Sequence, residues 1–156
     1  MLLTRAASPA DAPLIAAHRK AMFVAMGRAS DSSLETMTRN FEPWCTRMMA
    51  EAKYIGWVTE DDGRPIASAG LLVLDWPPHP LDPYGEKRAY ILNVFVDPDY
   101  RRRGLAHALV DQCVAEAHRL GLRVVALHTS EEGRHLYEVF GFRISNEMLY
   151  VEPDEG

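Results

Sequence analysis

In one stretch of the chain the hydrophobic pattern changes from the period of a strand to that of a helix. Residues 90–96 are rich in β-branched and aromatic side chains, which is typical of a buried strand. Pro98 ends that strand, because a proline donates no ladder hydrogen bond. Apolar residues then recur at helical spacing, at Leu105, Leu109, Val110, Cys113, Val114, Ala117 and Leu120. The pattern predicts a strand, a short turn, and a helix that begins near Gly104 and ends at Gly121.

The remaining patterns predict a mixed fold of strands and helices. In the first half of the chain we expect a strand at 2–6, a helix that starts at Ser8 and Pro9 and closes at Gly27, and a second helix that is capped by Asp31 or Ser32 and runs to Ala52. A hairpin of strands 54–60 and 66–74 around the turn 61–63 follows. After the long helix we expect a strand at 124–128, a short helix at 133–140, and one or two antiparallel strands within 142–151. Pro43 is expected to break or restart the second helix. Such an order predicts an α/β protein with helices on both faces of a twisted sheet.

Residues 75–85 form a proline-rich connection without periodicity. A structureless connection of this length inside a compact domain is usually functional or mobile. Two hypotheses stay open for it. In the first, Trp76 and Tyr84 line the entrance to a substrate site. In the second, the prolines hold a rigid surface loop.

Composition narrows the class of protein. The chain has 156 residues, of which 25% are charged and 47% hydrophobic, as expected for one globular domain over residues 1–156. A formal net charge of −5 argues against a sequence-independent nucleic-acid binder. No apolar run is long enough to cross a bilayer, and the N-terminus lacks a hydrophobic signal region. The two cysteines, Cys45 and Cys113, form neither a disulfide framework nor a metal-ligand spacing. We therefore expect a cytoplasmic protein that binds neither nucleic acid nor a membrane and holds no metal.

The start of the long helix has the chemistry of an anion site. Amides in the first turn of a helix lack intrahelical partners, and the helix dipole places partial positive charge there. Gly104 and Ala106 allow a phosphate oxygen to approach the backbone, and the arginines at 101–103 add charge. A pyrophosphate has the size that this turn would bind. An ordinary strand-to-helix connection with a solvated basic patch is the alternative.

Two motifs resemble a known family. Residues 94–106 are similar to the acetyl-coenzyme A signature of the GNAT superfamily of N-acetyltransferases, which is a strand followed by Gln/Arg-x-x-Gly-x-Gly/Ala. In this chain the segment reads Val-Phe-Val-Asp-Pro-Asp-Tyr-Arg-Arg-Arg-Gly-Leu-Ala. Arg101, Gly104 and Ala106 take the three defining positions. Downstream, residues 136–142 resemble the family's Leu-Tyr-x-x-x-Gly-Phe motif. Two motifs in this order are more specific than either motif alone.

The resemblance implies an N-acetyltransferase with acetyl-CoA as co-substrate. It also implies a GNAT-like mixed, mostly antiparallel sheet in which strand 90–96 splays from strand 124–128, and the cofactor enters that gap. In the family the strand edge holds the pantetheine arm and the helix start holds the pyrophosphate. The cofactor-binding residues implied by the resemblance are Val94, Phe95, Val96, Arg101, Arg102, Arg103, Gly104, Leu105, Ala106, His107 and Ser130.

Tyr137 matches the family's tyrosine and is the candidate general acid. A phenol has an unperturbed pKa near 10 and holds a proton at neutral pH that it can give to a departing thiolate. The alternative is a core tyrosine on a short helix. Ser130 stands where many family members have an asparagine that contacts the cofactor arm, and its side chain is shorter.

The general base has no single candidate. Glu35, Asp75, His79 and His128 remain open, and delivery of a neutral amine is a further alternative. A route through an acetylated cysteine would need an activating base that the spacing does not provide. Direct attack of the amine on the thioester is therefore preferred.

The acceptor is expected to be a small-molecule amine, an amino acid or a peptide end. Residues 27–50 and the proline-rich connection contain many apolar side chains and few acids. This composition indicates an acceptor with an apolar part. Core packing or a homodimer contact would explain the same residues. A non-catalytic module that senses acyl-CoA is the competing function. A nucleotide-phosphate enzyme is a third, but no Gly-rich Lys-Ser/Thr loop or dinucleotide fingerprint is present.

Overall fold

A five-stranded sheet forms the centre of the computed structural model, which describes residues 1–27 and 29–153. The spatial order of the strands is their order along the chain. Neighbouring strands from the first to the fourth are antiparallel, and the fourth and fifth are parallel. The strands are β1 (Leu2–Ala6), β2 (Tyr54–Asp61), β3 (Arg64–Asp75), β4 (Lys87–Val96) and β5 (Val125–Leu127). The mixed, mostly antiparallel sheet is therefore confirmed.

In the described ranges the sheet is accompanied by four α-helices: α1 (Ala12–Met26), α2 (Asp31–Ala50), α3 (Leu105–Arg119) and α4 (Arg134–Glu138). A 3₁₀ turn, Pro9–Asp11, precedes α1, and a second one, Pro98–Tyr100, follows β4. None of the helices within the described residues combines the length and the hydrophobicity that a membrane span needs.

Helices pack on both faces of the sheet, as predicted. Ile15, Phe41 and Cys45 of α1 and α2 form one buried cluster, which we call the acceptor-side core, and Leu72 of β3 packs against it. Leu71, the preceding residue, lies in a second cluster with Leu109, Val110 and Cys113 of α3, which we call the cofactor-side core. Because successive strand residues point to opposite faces, the two cores lie on opposite sides of the sheet.

Two irregularities shape the middle of β4. Ser68 pairs with Phe95 and Gly70 with Leu92, so β4 carries one extra residue opposite β3. Asn93 in this bulge has a φ of +58°, a left-handed conformation that asparagine tolerates better than most residues. On its other edge, β4 pairs with β5 only from Ala89 to Ile91. Beyond Ile91 the described part of the chain provides no strand on that side, so the predicted splay between β4 and β5 is present.

The second helix differs from the prediction in its cap and in its continuity. Ser30 is the N-cap, and its hydroxyl accepts a hydrogen bond from the Ser33 amide across 3.2 Å. The helix also continues through Pro43, so the predicted break is wrong. Pro43 and Arg39 are both exposed, which lets water hydrate the Arg39 carbonyl that loses its intrahelical donor. Burial of Leu34, Phe41 and Cys45 on the inner face holds the two halves in one helix.

The prediction of strands within 142–151 is also wrong. Residues 142–153 form neither helix nor strand. The β-type composition is present, but its large apolar side chains are exposed at Ile144, Met148, Leu149, Tyr150 and Val151. A strand needs a paired neighbour as well as a suitable composition, and here the segment lies on no sheet edge.

Candidate active site

The start of α3 presents backbone amides that have no acceptor. Gly104, the N-cap, has a φ of +77°, and Arg102 has a φ of +65°. Two left-handed residues in so short a turn direct successive amides to one side. Among the described residues, no backbone or side-chain group accepts a hydrogen bond from the amides of 102–107, whereas the Ala108 amide donates to the Gly104 carbonyl across 3.0 Å. A Cβ built on Gly104 would meet nothing within 4 Å, so the space beside these amides is open.

The three arginines of this turn have different surroundings. Arg101 Nε donates to the Val96 carbonyl across 3.4 Å. The Arg103 guanidinium lies over the Tyr100 ring, 4.9 Å from its centroid, and the Tyr100 hydroxyl donates to Asp61 across 2.5 Å. Arg102 is exposed and forms no ion pair with any residue that the structure describes. None of the three arginines forms an ion pair with a described carboxylate, so the α3 turn keeps its positive charge.

The other predicted residues of the helix start link α3 to α4. Leu105 packs against the cofactor-side core, and Ala106 is half-buried. The exposed His107 stacks at a tilt on Phe140, with ring centroids 4.5 Å apart. The Ser130 hydroxyl accepts a hydrogen bond from the Gly133 amide across 3.2 Å, just before α4 begins. Ser130 thus orders the connection to α4, and its proposed role toward a cofactor stays a prediction.

The side chains of the unpaired stretch of β4 alternate between the two faces of the sheet. Val94 and Val96 pack against the cofactor-side core, the same cluster that Leu105 and Tyr137 contact. Phe95 points the other way and stacks on His18 of α1 at 4.4 Å. Because β5 ends at Leu127, the β4 edge beyond Ile91 keeps hydrogen-bonding groups available. The structure therefore brings the β4 edge, the α3 start and Tyr137 to one side of the sheet.

Tyr137 on α4 is half-buried and packs in that same cluster. Its ring meets Phe142 edge-on, with centroids 6.0 Å apart. Burial, with a smaller contribution from the nearby Cys113 thiol, raises the pKa of Tyr137 to about 12. Its hydroxyl forms no hydrogen bond with any described residue. A phenol in this setting is fully protonated at neutral pH and has its proton available.

On the opposite face, α1, α2 and β4 surround a cleft of about 370 Å³ lined by Arg19, Met37, Asn40, Phe41, Trp44 and Leu92. The spacing of Met37, Phe41 and Trp44 on one helix face was visible in the sequence. Arg19 was not predicted, because it lies among the apolar positions of α1 and no local pattern marks it. Its Nη1 donates to Asn93 Oδ1 across 2.7 Å.

Asn93 joins this cleft to a buried tyrosine. The Asn93 side-chain amide donates to the Tyr54 hydroxyl across 3.1 Å. Tyr54 is 2% exposed, and burial raises its pKa above the ordinary value. Gly70 makes room for it, because any Cβ there would collide with the Tyr54 hydroxyl. The bulge is thus held by side chains from α1, β2 and β4, which sequence patterns alone do not bring together.

The four candidate bases are scattered. Asp75 is paired with Lys87 across 2.8 Å, His79 accepts a hydrogen bond from the Leu81 amide, and Glu35 is exposed on α2. His128 follows β5 directly, and its Nδ1 contacts the Tyr90 hydroxyl. Of the four, His128 alone stands where β4 and β5 separate.

The two thiols are buried and unreactive in character. Burial raises the pKa of the Cys45 thiol to about 11 and that of Cys113 to about 12. Cys45 donates weakly to the Met49 sulfur, and Cys113 to the Gly70 carbonyl. Neither is a thiolate at neutral pH, which a covalent route would require.

A mixed sheet whose fourth and fifth strands separate beside a glycine-capped helix is the architecture of an acyltransferase of the GNAT type. The model of the acetyltransferase (GNAT) family matches residues 19–142, and the chain belongs to that family. The chain is 38% identical to a GCN5-related N-acetyltransferase from Ralstonia eutropha JMP134, with a TM-score of 0.92 and full coverage of both chains.

Two further relatives are more distant. A predicted acetyltransferase from Clostridium acetobutylicum, whose crystal structure contains acetyl-CoA, has a TM-score of 0.88 at 24% identity and covers 97% of this chain and 96% of its own, which shows the shared fold. Human N-acetyltransferase 8 is 30% identical over 97 residues, which are 60% of this chain and 40% of the human protein. The chain thus spans less than half the length of that curated relative.

Proposed function

We propose that the protein transfers the acetyl group of acetyl-CoA to a primary amine of a small molecule, an amino acid or a peptide end, by direct attack. One observation carries the proposal: the α3 start with its free amides at 102–107, the protonated Tyr137, and Val94 and Val96 beside the open β4 edge pack on the same face of the sheet. Each of the three features has a separate task in the reaction.

The start of α3 binds the diphosphate. Amides without acceptors and the positive end of the helix dipole stabilise phosphate oxygens. The open space beside Gly104 admits an oxygen close to the backbone. Arg101 and Arg102 neutralise charge on the diphosphate or on the ribose phosphate. The residues present therefore fit the anionic end of coenzyme A.

The open edge of β4 binds the pantetheine arm. An extended amide-containing chain adds to an exposed strand edge through main-chain hydrogen bonds. Among the described residues, the backbone around Val94–Val96 has no strand partner on the β5 side. A β4 amide there donates to the thioester carbonyl and stabilises the oxyanion that forms when the amine attacks.

Tyr137 completes the transfer. The amine nitrogen forms a bond to the carbonyl carbon, the carbon–sulfur bond breaks, and the Tyr137 hydroxyl gives its proton to the departing thiolate. The amine loses one proton to solvent or to a base, and solvent restores the phenol. The raised pKa of Tyr137, about 12, keeps the acid protonated wherever a substrate amine is partly neutral.

Thiol release from acetyl-CoA across a panel of amines tests this proposal. We expect release that depends on the amine, and initial-rate patterns of a ternary complex. Coenzyme A binding without amine-dependent release would instead support an acyl-CoA-sensing module. A ping-pong pattern would contradict direct attack.

A further inference from the structure

Arg19 is a cation for which the described residues provide no counter-ion. It lies on α1 at the cleft between α1, α2 and β4. None of the ion pairs among residues 1–27 and 29–153 includes it. Nη1 donates to Asn93, but Nε is buried and has no hydrogen-bond partner in the described part of the chain. A buried donor on a charged group without an acceptor is costly.

Aromatic rings flank the same guanidinium. It lies 4.9 Å from the centroid of Phe23 and 5.0 Å from that of Phe41. Burial lowers the pKa of Arg19 from its ordinary value, yet an arginine remains charged in proteins. The rings hold the charged plane in one orientation, and no described carboxylate pairs with it.

Arg5, in contrast, is an arginine whose ion pairs lie within the fold. Arg5 Nη2 lies 2.8 Å from Asp11, and its Nε lies 2.7 Å from Glu60. Two carboxylates are thus supplied to an arginine that is 36% exposed, and none to the half-buried Arg19. The contrast leaves the Arg19 guanidinium free to bind an anion that a ligand supplies.

The rest of the cleft defines the other part of that ligand. Met37, Phe41, Trp44 and Leu92 present apolar surface, and no lining residue is acidic. A terminal guanidinium nitrogen donates a charge-assisted hydrogen bond to a carboxylate. The cleft therefore suits a small molecule with one carboxylate and an apolar side chain.

The cleft adjoins the segment that is proposed to hold the thioester. Leu92 lines it, and Asn93, which accepts the Arg19 hydrogen bond, directly precedes Val94. A ligand anchored on Arg19 reaches the β4 bulge from the acceptor side of the sheet. We infer that the acceptor is an α-amino acid with an apolar side chain, whose carboxylate is bound by Arg19; this inference rests on the proposed acetyl transfer.

Matched pairs of amines test the inference. Thiol release is measured for leucine, methionine and phenylalanine and for the amines that lack their carboxylate: 3-methylbutylamine, 3-(methylthio)propylamine and 2-phenylethylamine. For the best pair we expect kcat/KM to favour the amino acid by about 10- to 100-fold, the worth of a charge-assisted contact. Arg19→Met should abolish this preference, and Arg19→Gln, which keeps a donor toward Asn93 without the charge, should also abolish it.

Arg39→Met is the control, because Arg39 is an exposed arginine of α2 outside the cleft. It should keep the full preference. Equal kcat/KM for both members of each pair, or a preference that survives in both Arg19 variants, would overturn the inference while leaving acetyl transfer intact. Thermal unfolding of each variant identifies any loss of fold. If Arg19→Met does not fold, the milder Arg19→Gln variant alone tests whether the preference depends on the charge.

A binding experiment separates the two proposals if no amine releases thiol. Calorimetric titration of the protein with the same three amino acids, in the presence of coenzyme A, reports on the cleft alone. Binding that both Arg19 variants abolish would support the carboxylate site even though transfer had failed. Absence of binding to the wild-type protein would overturn the site.

Discussion

The side chain of Asn93 donates a hydrogen bond to the hydroxyl of Tyr54 across 3.1 Å, and this contact holds a strand bulge in place. Asn93 is 2% exposed and has a φ of +58°. Its carbonyl oxygen accepts from Arg19 at the same time. The residue therefore fixes both the shape of β4 and the direction of the guanidinium in the cleft.

Substitution of Asn93 should separate these two contributions. Asn93→Ala loses both hydrogen bonds and adds the strain of a left-handed alanine, so we expect the free energy of unfolding to fall by about 2–4 kcal/mol. Asn93→Gly tolerates the backbone angle and should recover about 1 kcal/mol of that loss. Urea unfolding measures both values. Equal stability of the two variants would contradict a strained bulge.

Two glycines that flank α3 provide a matched test of the proposed diphosphate site. Gly104 and Gly121 flank the helix with φ values of +77° and +74°, and a Cβ at either position would meet nothing within 4 Å. Alanine at either should cost about 1 kcal/mol of stability through backbone strain. Gly104→Ala should also displace the free amides and weaken acetyl-CoA binding by about tenfold, the loss of one amide contact.

Isothermal titration with coenzyme A distinguishes the two variants. Gly121→Ala lies at the far end of the helix and should bind as the wild type does. Equal affinity of both variants for coenzyme A would remove the α3 start from the binding site.

Removal of the Tyr137 hydroxyl should affect the chemical step and little else. That hydroxyl has no hydrogen bond to a described residue, so Tyr137→Phe should leave the melting temperature nearly unchanged. The value of kcat should fall by about 10²-fold or more, the usual worth of a general acid, while coenzyme A affinity stays within about twofold. Tyr150→Phe, at an exposed position outside the site, is the control. Full turnover in Tyr137→Phe would exclude the tyrosine as the acid.

Because the two thiols are buried, we expect the free energy of unfolding to fall at alkaline pH. Burial raises the pKa of Cys45 to about 11 and that of Cys113 to about 12, above the ordinary value of 9.0. The native state therefore keeps protons that the unfolded state releases. Their contribution is fully present below pH 9 and is lost as pH rises through the native values, at up to about 1.4 kcal/mol per pH unit for each thiol.

Urea unfolding between pH 8 and pH 11 measures this slope. Cys113→Ala lowers stability at every pH by leaving a cavity, but it should make the decline above pH 9 less steep. A slope that is unchanged in the variant would show that Cys113 does not titrate differently in the two states.

Local patterns predicted the elements that depend on local chemistry. The change of period around Pro98 gave β4 and α3, because burial of Leu109, Val110 and Cys113 requires helical spacing. The turn at 61–63 gave the hairpin, since Asp62 and Gly63 both have positive φ. The motif at 94–106 also predicted where α3 begins, and the motif at 136–142 predicted a short helix that carries Tyr137.

The features that depend on distant parts of the chain could not be predicted. The helix through Pro43 persists because packing on the sheet outweighs one lost hydrogen bond. The bulge at Asn93 depends on the register between β3 and β4, and the unpaired charge of Arg19 depends on which carboxylates the fold leaves out of reach. Residues 142–153 have a strand-like composition but no partner edge.

Hydrogen–deuterium exchange with and without coenzyme A tests the central claim most directly. The amides of 102–107 have no acceptor among the described residues and should exchange fast in the free protein. Coenzyme A should slow exchange there by about tenfold or more, since each amide that binds a phosphate oxygen is protected. Exchange at residues 31–33, at the start of α2, should stay the same. Saturation with coenzyme A that leaves exchange at 102–107 unchanged would contradict the account.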